Sequence, residues 1–185
     1  LNPLDSATIT ALRGLVGELE ARADIRVVRL MGAGKAFSAG GDLAGYISLY
    51  KSPAAFRAFL ETFHDLLDGI ERSAKIYMAV VNGACVAGGL ELLLACDVAV
   101  AGHSARIGDG HLNFGQLPGA GGSQRLPRAI GAMAAKFLIF SGELLDAAAA
   151  ERLGLVNRVV PDGELALQSM ALCQAMARHS PAGLK

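Results

Sequence analysis

Two segments of this chain share one layout: a short apolar strand, a turn of small residues, then a helix. The first turn is Lys35-Ala36-Phe37-Ser38-Ala39-Gly40-Gly41-Asp42-Leu43, and the second runs Asn82-Gly83-Ala84-Cys85-Val86-Ala87-Gly88-Gly89-Leu90-Glu91. Small residues at such a turn let the backbone approach a partner closely. The first turn of a helix carries N–H groups without intrahelical acceptors, at the positive end of the helix dipole. Together these suit a site for negative charge developing on a ligand. Neither turn is a dinucleotide fingerprint or a P-loop, because each lacks G-x-G-x-x-G and neither is followed by Gly-Lys-Ser/Thr. The plainer alternative is a pair of tight turns that only pack helix against strand.

The rest of the chain repeats the alternation. An amphipathic helix is expected over 5–22, with Leu12, Leu15, Val16 and Leu19 on one face and Ser6 or Thr8 as its cap. A second spans 53–72, with Phe56, Phe59, Phe63, Leu66 and Ile70 in its apolar stripe. A buried helix is expected at 90–96, then others at 123–130, 132–140, 146–153 and 163–178. Strands are expected at 24–31, 75–81, 97–101, 105–108 and 157–160. Residues 32–42 and 112–122 read as loops. Alternating strands and helices give an α/β class with parallel pairing. No fixed-period repeat or linker stands out, so 1–185 reads as one domain, more helical over its last fifty residues or so. The chain stops at Lys185 in what reads as the approach to a further helix.

Composition removes several functions. Lys plus Arg and Asp plus Glu are 17 each, so the formal net charge is zero and nucleic acid is not an expected partner. The longest apolar stretch, 83–101, is broken by Glu91 and Asp97, so no membrane partner is expected. No signal peptide is visible. Three scattered cysteines form neither a disulfide framework nor a zinc pattern. A reducing, cytoplasmic setting and no metal are the expectations.

The segment MAVVNGACVAGGLELLLACDV, 78–98, resembles the signature of the enoyl-CoA hydratase/isomerase family, the crotonases. KAFSAGGDL, 35–43, is similar to a second hallmark turn of that family. GQLPGAGGSQRLPRAIG, 115–131, and SGELLDAAAAERLGLVNRVVP, 141–161, are similar to its later segments, in the family's order. The resemblance covers nearly the whole chain. It implies a crotonase-like spiral of ββα repeats with a helical C-terminal part, whose terminal helices would lie beyond Lys185. It also implies assembly as a homotrimer or a dimer of trimers. It implies an acyl-CoA substrate, with coenzyme A as part of that substrate and no permanently bound cofactor.

By position, the resemblance makes the Gly41 and Gly88 N–H groups an oxyanion hole for a thioester carbonyl. Ala36, Ala39, Asp42 and Leu43 would line the CoA side, and Lys35 would meet CoA phosphates or else be a solvated loop lysine. Gly89, Pro118 and Gly119 fall in the same substrate-binding motifs. Glu91, inside an apolar helix, stands where the family carries a catalytic carboxylate. Burial would raise its pKa and suit it to proton transfer, although a salt-bridged structural role is the plain alternative. The second family carboxylate should fall at His111, so this chain departs from the pattern there. His still serves as a general acid or base near neutral pH. Asp109 is placed to orient His111 or to stand in for it, and Asn113 and Gln116 are lesser polar candidates. Gly119 occupies a position that carries Asp in some isomerases and hydrolases. Residues 44–59, with Tyr46, Tyr50 and Phe56, are expected to line the acyl pocket or simply to pack.

The leading expectation is reversible hydration of a 2-enoyl-CoA, with Glu91 and His111 catalytic. Another crotonase reaction, such as double-bond isomerisation, C–C hydrolysis or decarboxylation, is the alternative. A non-catalytic acyl-CoA-binding scaffold is the alternative of a different class.

Overall fold

The computed structural model describes residues 1–180 and Gly183. The expected helical approach at the C-terminus lies outside the described residues. Among these, two four-stranded sheets form the frame, in the order β1-β3-β5-β8 and β2-β4-β6-β7. The larger contains β1 (Val27–Met31), β3 (Ile76–Val81), β5 (Val98–Gly102) and β8 (Arg158–Val160), all parallel. The smaller contains β2 (Ala36–Ser38), β4 (Ala84–Val86), β6 (Arg106–Gly108) and β7 (Leu145–Asp146). Its first three strands run parallel, and β7 closes the edge antiparallel to β6.

Strand β3 is buried at all six positions, so its sequence shows no polar alternation. Its side chains still divide by pleat. Met78 and Val80 face one cluster with Val100, Val160 and Leu165, which α8 (Leu165–Ala177) covers. Tyr77, Ala79 and Val81 face the main cluster, which contains residues of α1 (Ser6–Glu20), α3 (Pro53–Arg72) and α4 (Gly88–Ala95). Helix α3 matches its expected span. Ser52 caps it by accepting from the Ala55 N–H, and Pro53 takes the first helical position, where no N–H is needed. Its stripe of Phe59, Phe63, Leu66, Leu67 and Ile70 is buried.

Several expectations change. The cap of α1 is Asp5, which accepts from the Thr8 N–H at 2.7 Å, rather than Ser6 or Thr8. A carboxylate one residue before the first turn reaches that amide and favours the dipole end. Helix α2 (Leu43–Tyr50) is the helix that follows the first glycine turn. The buried helix α4 starts at Gly88, two residues before its expected start at Leu90. Strands β2, β4 and β7 were not anticipated. Helices α5 (Gly122–Ile130), α6 (Ala132–Ser141) and α7 (Ala147–Arg152) shift by a residue or two from their expected spans. Asn82 ties the loop after β1 to the turn after β3. Its amide donates to the Gly32 and Gly34 carbonyls, and its Oδ1 accepts from the Gly32 N–H.

Candidate active site

The two glycine turns meet. A Cβ on Gly40, whose φ is +93°, would lie 3.0 Å from the Ala87 methyl and 3.5 Å from the Gly88 nitrogen. A Cβ on Gly89 would come within 2.5 Å of the Ser38 carbonyl oxygen, so only glycine fits without a shift. Gly88 is the first residue of α4, where an N–H has no intrahelical acceptor. Ala87 just before it has φ +53° and ψ −119°, an unusual conformation for a residue with a side chain. Strain of this kind persists where surrounding structure imposes it.

Gly41 and Gly88 both line a cavity of about 550 Å³. One wall is aromatic: Tyr46 packs edge-on against Tyr50 and Phe59, and Phe56 stacks on Phe59. Tyr46, Tyr50 and Phe56 all line the cavity. Glu91 and His111 also line it.

Glu91 is buried, with 2% of its surface exposed. Its Oε1 accepts from the Ala120 and Gly122 N–H groups, each at 2.8 Å. Its Oε2 lies 3.7 Å from His111 Nε2. His111 opens a short 3-10 helix, His111–Phe114, after a left-handed turn at Gly110. Its Nδ1 is 3.1 Å from Asp109 Oδ1, which also accepts from the His111 N–H at 3.2 Å. Burial raises the Glu91 pKa, and Asp109 adds to the rise against the opposing pull of the Gly122 and Ala120 amides and of His111. For His111, burial works downward, but the Asp109 hydrogen bond and the charges of Glu91 and Asp109 outweigh it and raise the pKa.

The loop that grips Glu91 is itself held from α3. Arg125 Nη1 donates to the Ala120 carbonyl at 2.8 Å, while the same guanidinium pairs with Asp68 and Glu71. His64 Nε2 donates to the Gly119 carbonyl at 2.9 Å. Sequence reasoning missed Arg125 and His64. Their only signal is a basic residue just past a glycine turn and a lone His on an apolar helix.

The other expected site residues divide. Ala39, Leu43 and Gly119 line the cavity. Ala36 is buried in β2 against β4, and Gly89 packs on Ser38. Pro118 sits beside Gly122. Lys35 is exposed, and Asp42 stands at the start of α2 with its carboxylate against Gly45. These five lie outside the cavity wall, because β-pairing and turn packing take up their positions. Asn113 donates to the Gly142 carbonyl, a structural bond, whereas Gln116 lines the cavity and donates to the Tyr50 hydroxyl at 2.6 Å. Among the described residues, no cluster of three or more His, Cys, Asp or Glu is arranged to hold a metal ion. No helix among them is long and apolar enough to cross a membrane.

Residues 1–185 match the family model described as enoyl-CoA hydratase/isomerase. The chain is 38% identical over 180 residues to the probable enoyl-CoA hydratase echA8 of Mycobacterium tuberculosis, covering 97% of this chain and 68% of that protein. It is 39% identical over 177 residues to the 2,3-dehydroadipyl-CoA hydratase of Escherichia coli, covering 94% and 68%. The crystal structure of an enoyl-CoA hydratase from Bacillus anthracis superposes with a TM-score of 0.92 at 34% identity, over 97% of this chain and 69% of that one. The mixed α/β architecture is thus the crotonase fold, and this chain is an enzyme belonging to the enoyl-CoA hydratase/isomerase family.

Proposed function

We propose that the protein is an enoyl-CoA hydratase that adds water reversibly across the double bond of a 2-enoyl-CoA. One observation carries this reading: Glu91 is fixed by two amides at Oε1 and turns Oε2 toward His111 Nε2 on the wall of the cavity that Gly41 and Gly88 also line. The thioester oxygen accepts from the Gly41 and Gly88 N–H groups, which stabilise the enolate. Glu91 takes a proton from water as its oxygen bonds to Cβ, and protonated His111 gives one to Cα. The proton then passes from Glu91 to His111 across their 3.7 Å separation, which resets the site. Hydration is redox-neutral, so this reaction calls for no redox cofactor, and coenzyme A enters as part of the substrate. Lys35 and Asp42, outside the acyl cavity, are assigned to the CoA side.

The active form has Glu91 ionised and His111 protonated. Both pKa values are raised, so the acid limb of the rate profile lies above 4.5 and the alkaline limb above 6.5. The test is product formation from a panel of 2-enoyl-CoA thioesters. Glu91→Gln keeps an acceptor for both amides and should fold normally, while kcat falls by about 10² or more. A rearranged enoyl-CoA or a cleaved C–C bond as the product would instead indicate isomerase or C–C hydrolase chemistry. Binding without turnover would indicate a scaffold.

The same proposal includes one crotonase-like domain over 1–185, a trimer or dimer of trimers, and a cytoplasmic location. Assembly is supported by Met133, Phe137 and Phe140 of α6, which are exposed large apolar side chains. The location rests on the odd, scattered set of three cysteines.

A further inference from the structure

Asp109 is the feature that hydration by Glu91 and His111 does not yet use. It is fully buried, and its Oδ2 has no hydrogen-bond partner among the described residues. A buried carboxylate with a bare oxygen is costly, and a position needed only for packing would be better filled by an uncharged side chain. Its other oxygen is committed twice to His111, at the backbone N–H and at ring Nδ1. A carboxylate only accepts, so Nδ1 carries the proton of that contact. Nε2 is then the nitrogen left facing Glu91 Oε2 and the cavity.

The geometry points to Asp109 as a positioning residue that fixes His111 in its Nδ1–H form and makes Nε2 the site's proton carrier opposite Glu91. This deepens the hydratase reading and rests on it. The three groups form one line: carboxylate, imidazole, carboxylate. One proton moves along its Glu91–His111 half in each turnover, while Asp109 holds the ring from the Nδ1 side. The groups facing His111 are Glu91 from α4 and Asp109 from its own loop. On α6, which packs against the 3-10 helix, the only titratable side chain is Lys136, and it is exposed.

Asp109→Asn separates this role from a structural one. Asn keeps an oxygen for the His111 backbone N–H, so the turn survives, but it removes the charge. The Asp109 charge holds the pKa values of both His111 and Glu91 up. Its loss should move both limbs of the kcat/KM profile to lower pH, the alkaline limb by about one to two units. It should also lower kcat by about 10- to 100-fold with KM little changed. A lower plateau with both limbs in place would show a merely structural Asp109 and overturn the proposal. Nitrogen-15 NMR of histidine-labelled wild-type protein, with the His111 signal identified by its loss in His111→Gln, reads the tautomer directly. An Nδ1–H neutral form is expected, and an Nε2–H form refutes the assignment even if Asp109→Asn does not fold. The NMR measurement needs no turnover. Failure of the wild-type protein to hydrate any enoyl-CoA would therefore count against the hydratase reading, and the tautomer would still be decided separately.

Discussion

Gly122→Ala places one methyl group against the Glu91 carboxylate. The new Cβ would lie 3.1 Å from Glu91 Oε1, 3.1 Å from Glu91 Cγ and 3.0 Å from Pro118 Cβ. Ordinary contact begins at 3.4 Å, so the neighbours must yield by about 0.3 to 0.4 Å. Two effects compete. Alanine gains roughly 0.5 to 1 kcal/mol over glycine in a helix, whereas overpacking a buried site costs about 1 to 3 kcal/mol. The net loss is about 1 kcal/mol, or roughly 2 to 4 °C in Tm for a chain of this size. Activity should suffer more. A displacement of about 1 Å costs on the order of 10²-fold, so about a third of that gives a 3- to 10-fold drop in kcat. Thermal melts and initial hydration rates measure both. Gly17→Ala is the control: no atom lies within 4 Å of its added Cβ, so it should stabilise α1 slightly and leave the rate alone. Wild-type kcat in Gly122→Ala, with an unchanged or raised Tm, would refute the claim that the Gly122 turn fixes Glu91.

Other changes test separate parts of the structure. Ala87→Gly relieves a positive-φ backbone and should alter stability by less than about 1 kcal/mol, while Ala87→Val should cost about 2 kcal/mol or more in urea unfolding. Phe56→Ala opens the aromatic wall beside Tyr50 and Phe59 and should shift the kcat/KM preference toward longer acyl groups, by about tenfold across a chain-length series. An unchanged preference would place the acyl chain elsewhere. Phe137→Glu puts a charge on the exposed apolar face of α6 and should convert the assembly to monomers by light scattering. An unchanged mass would rule that face out as the subunit contact.

Long elements with a clear period were legible in the sequence. Helix α3 matched its expected span because Ser52, Pro53 and an apolar stripe all specify it. Strand β3 came within a residue of its expected start. Strands β2 and β4 were hidden, since three residues are too few to show alternation and the two pair with each other across nearly fifty residues. Of the site, Glu91, His111 and the glycine turns could be named from motif positions. What the sequence could not supply was distance. The Glu91–His111 approach and the Arg125 pairing with Asp68 and Glu71 join separate elements, and no local pattern encodes them. Motif position names Ala36 and Gly89 but does not show which way a turn faces, and in the structure Ala36 pairs in β2 while Gly89 packs on Ser38.

The parallel run β2-β4-β6 has a consequence for how such an enzyme can change its chemistry. Each strand hands its chain to a different working part: Gly41 follows β2, Gly88 follows β4, and His111 follows β6. Neighbouring strands keep a spacing of about 4.8 Å whatever side chains they end in. A replacement just past β6 can therefore exchange one cavity-lining side chain for another and leave the amides after β2 and β4 where they are. The scaffold keeps both glycine turns in place while the side chains beside them are free to vary, one strand end at a time.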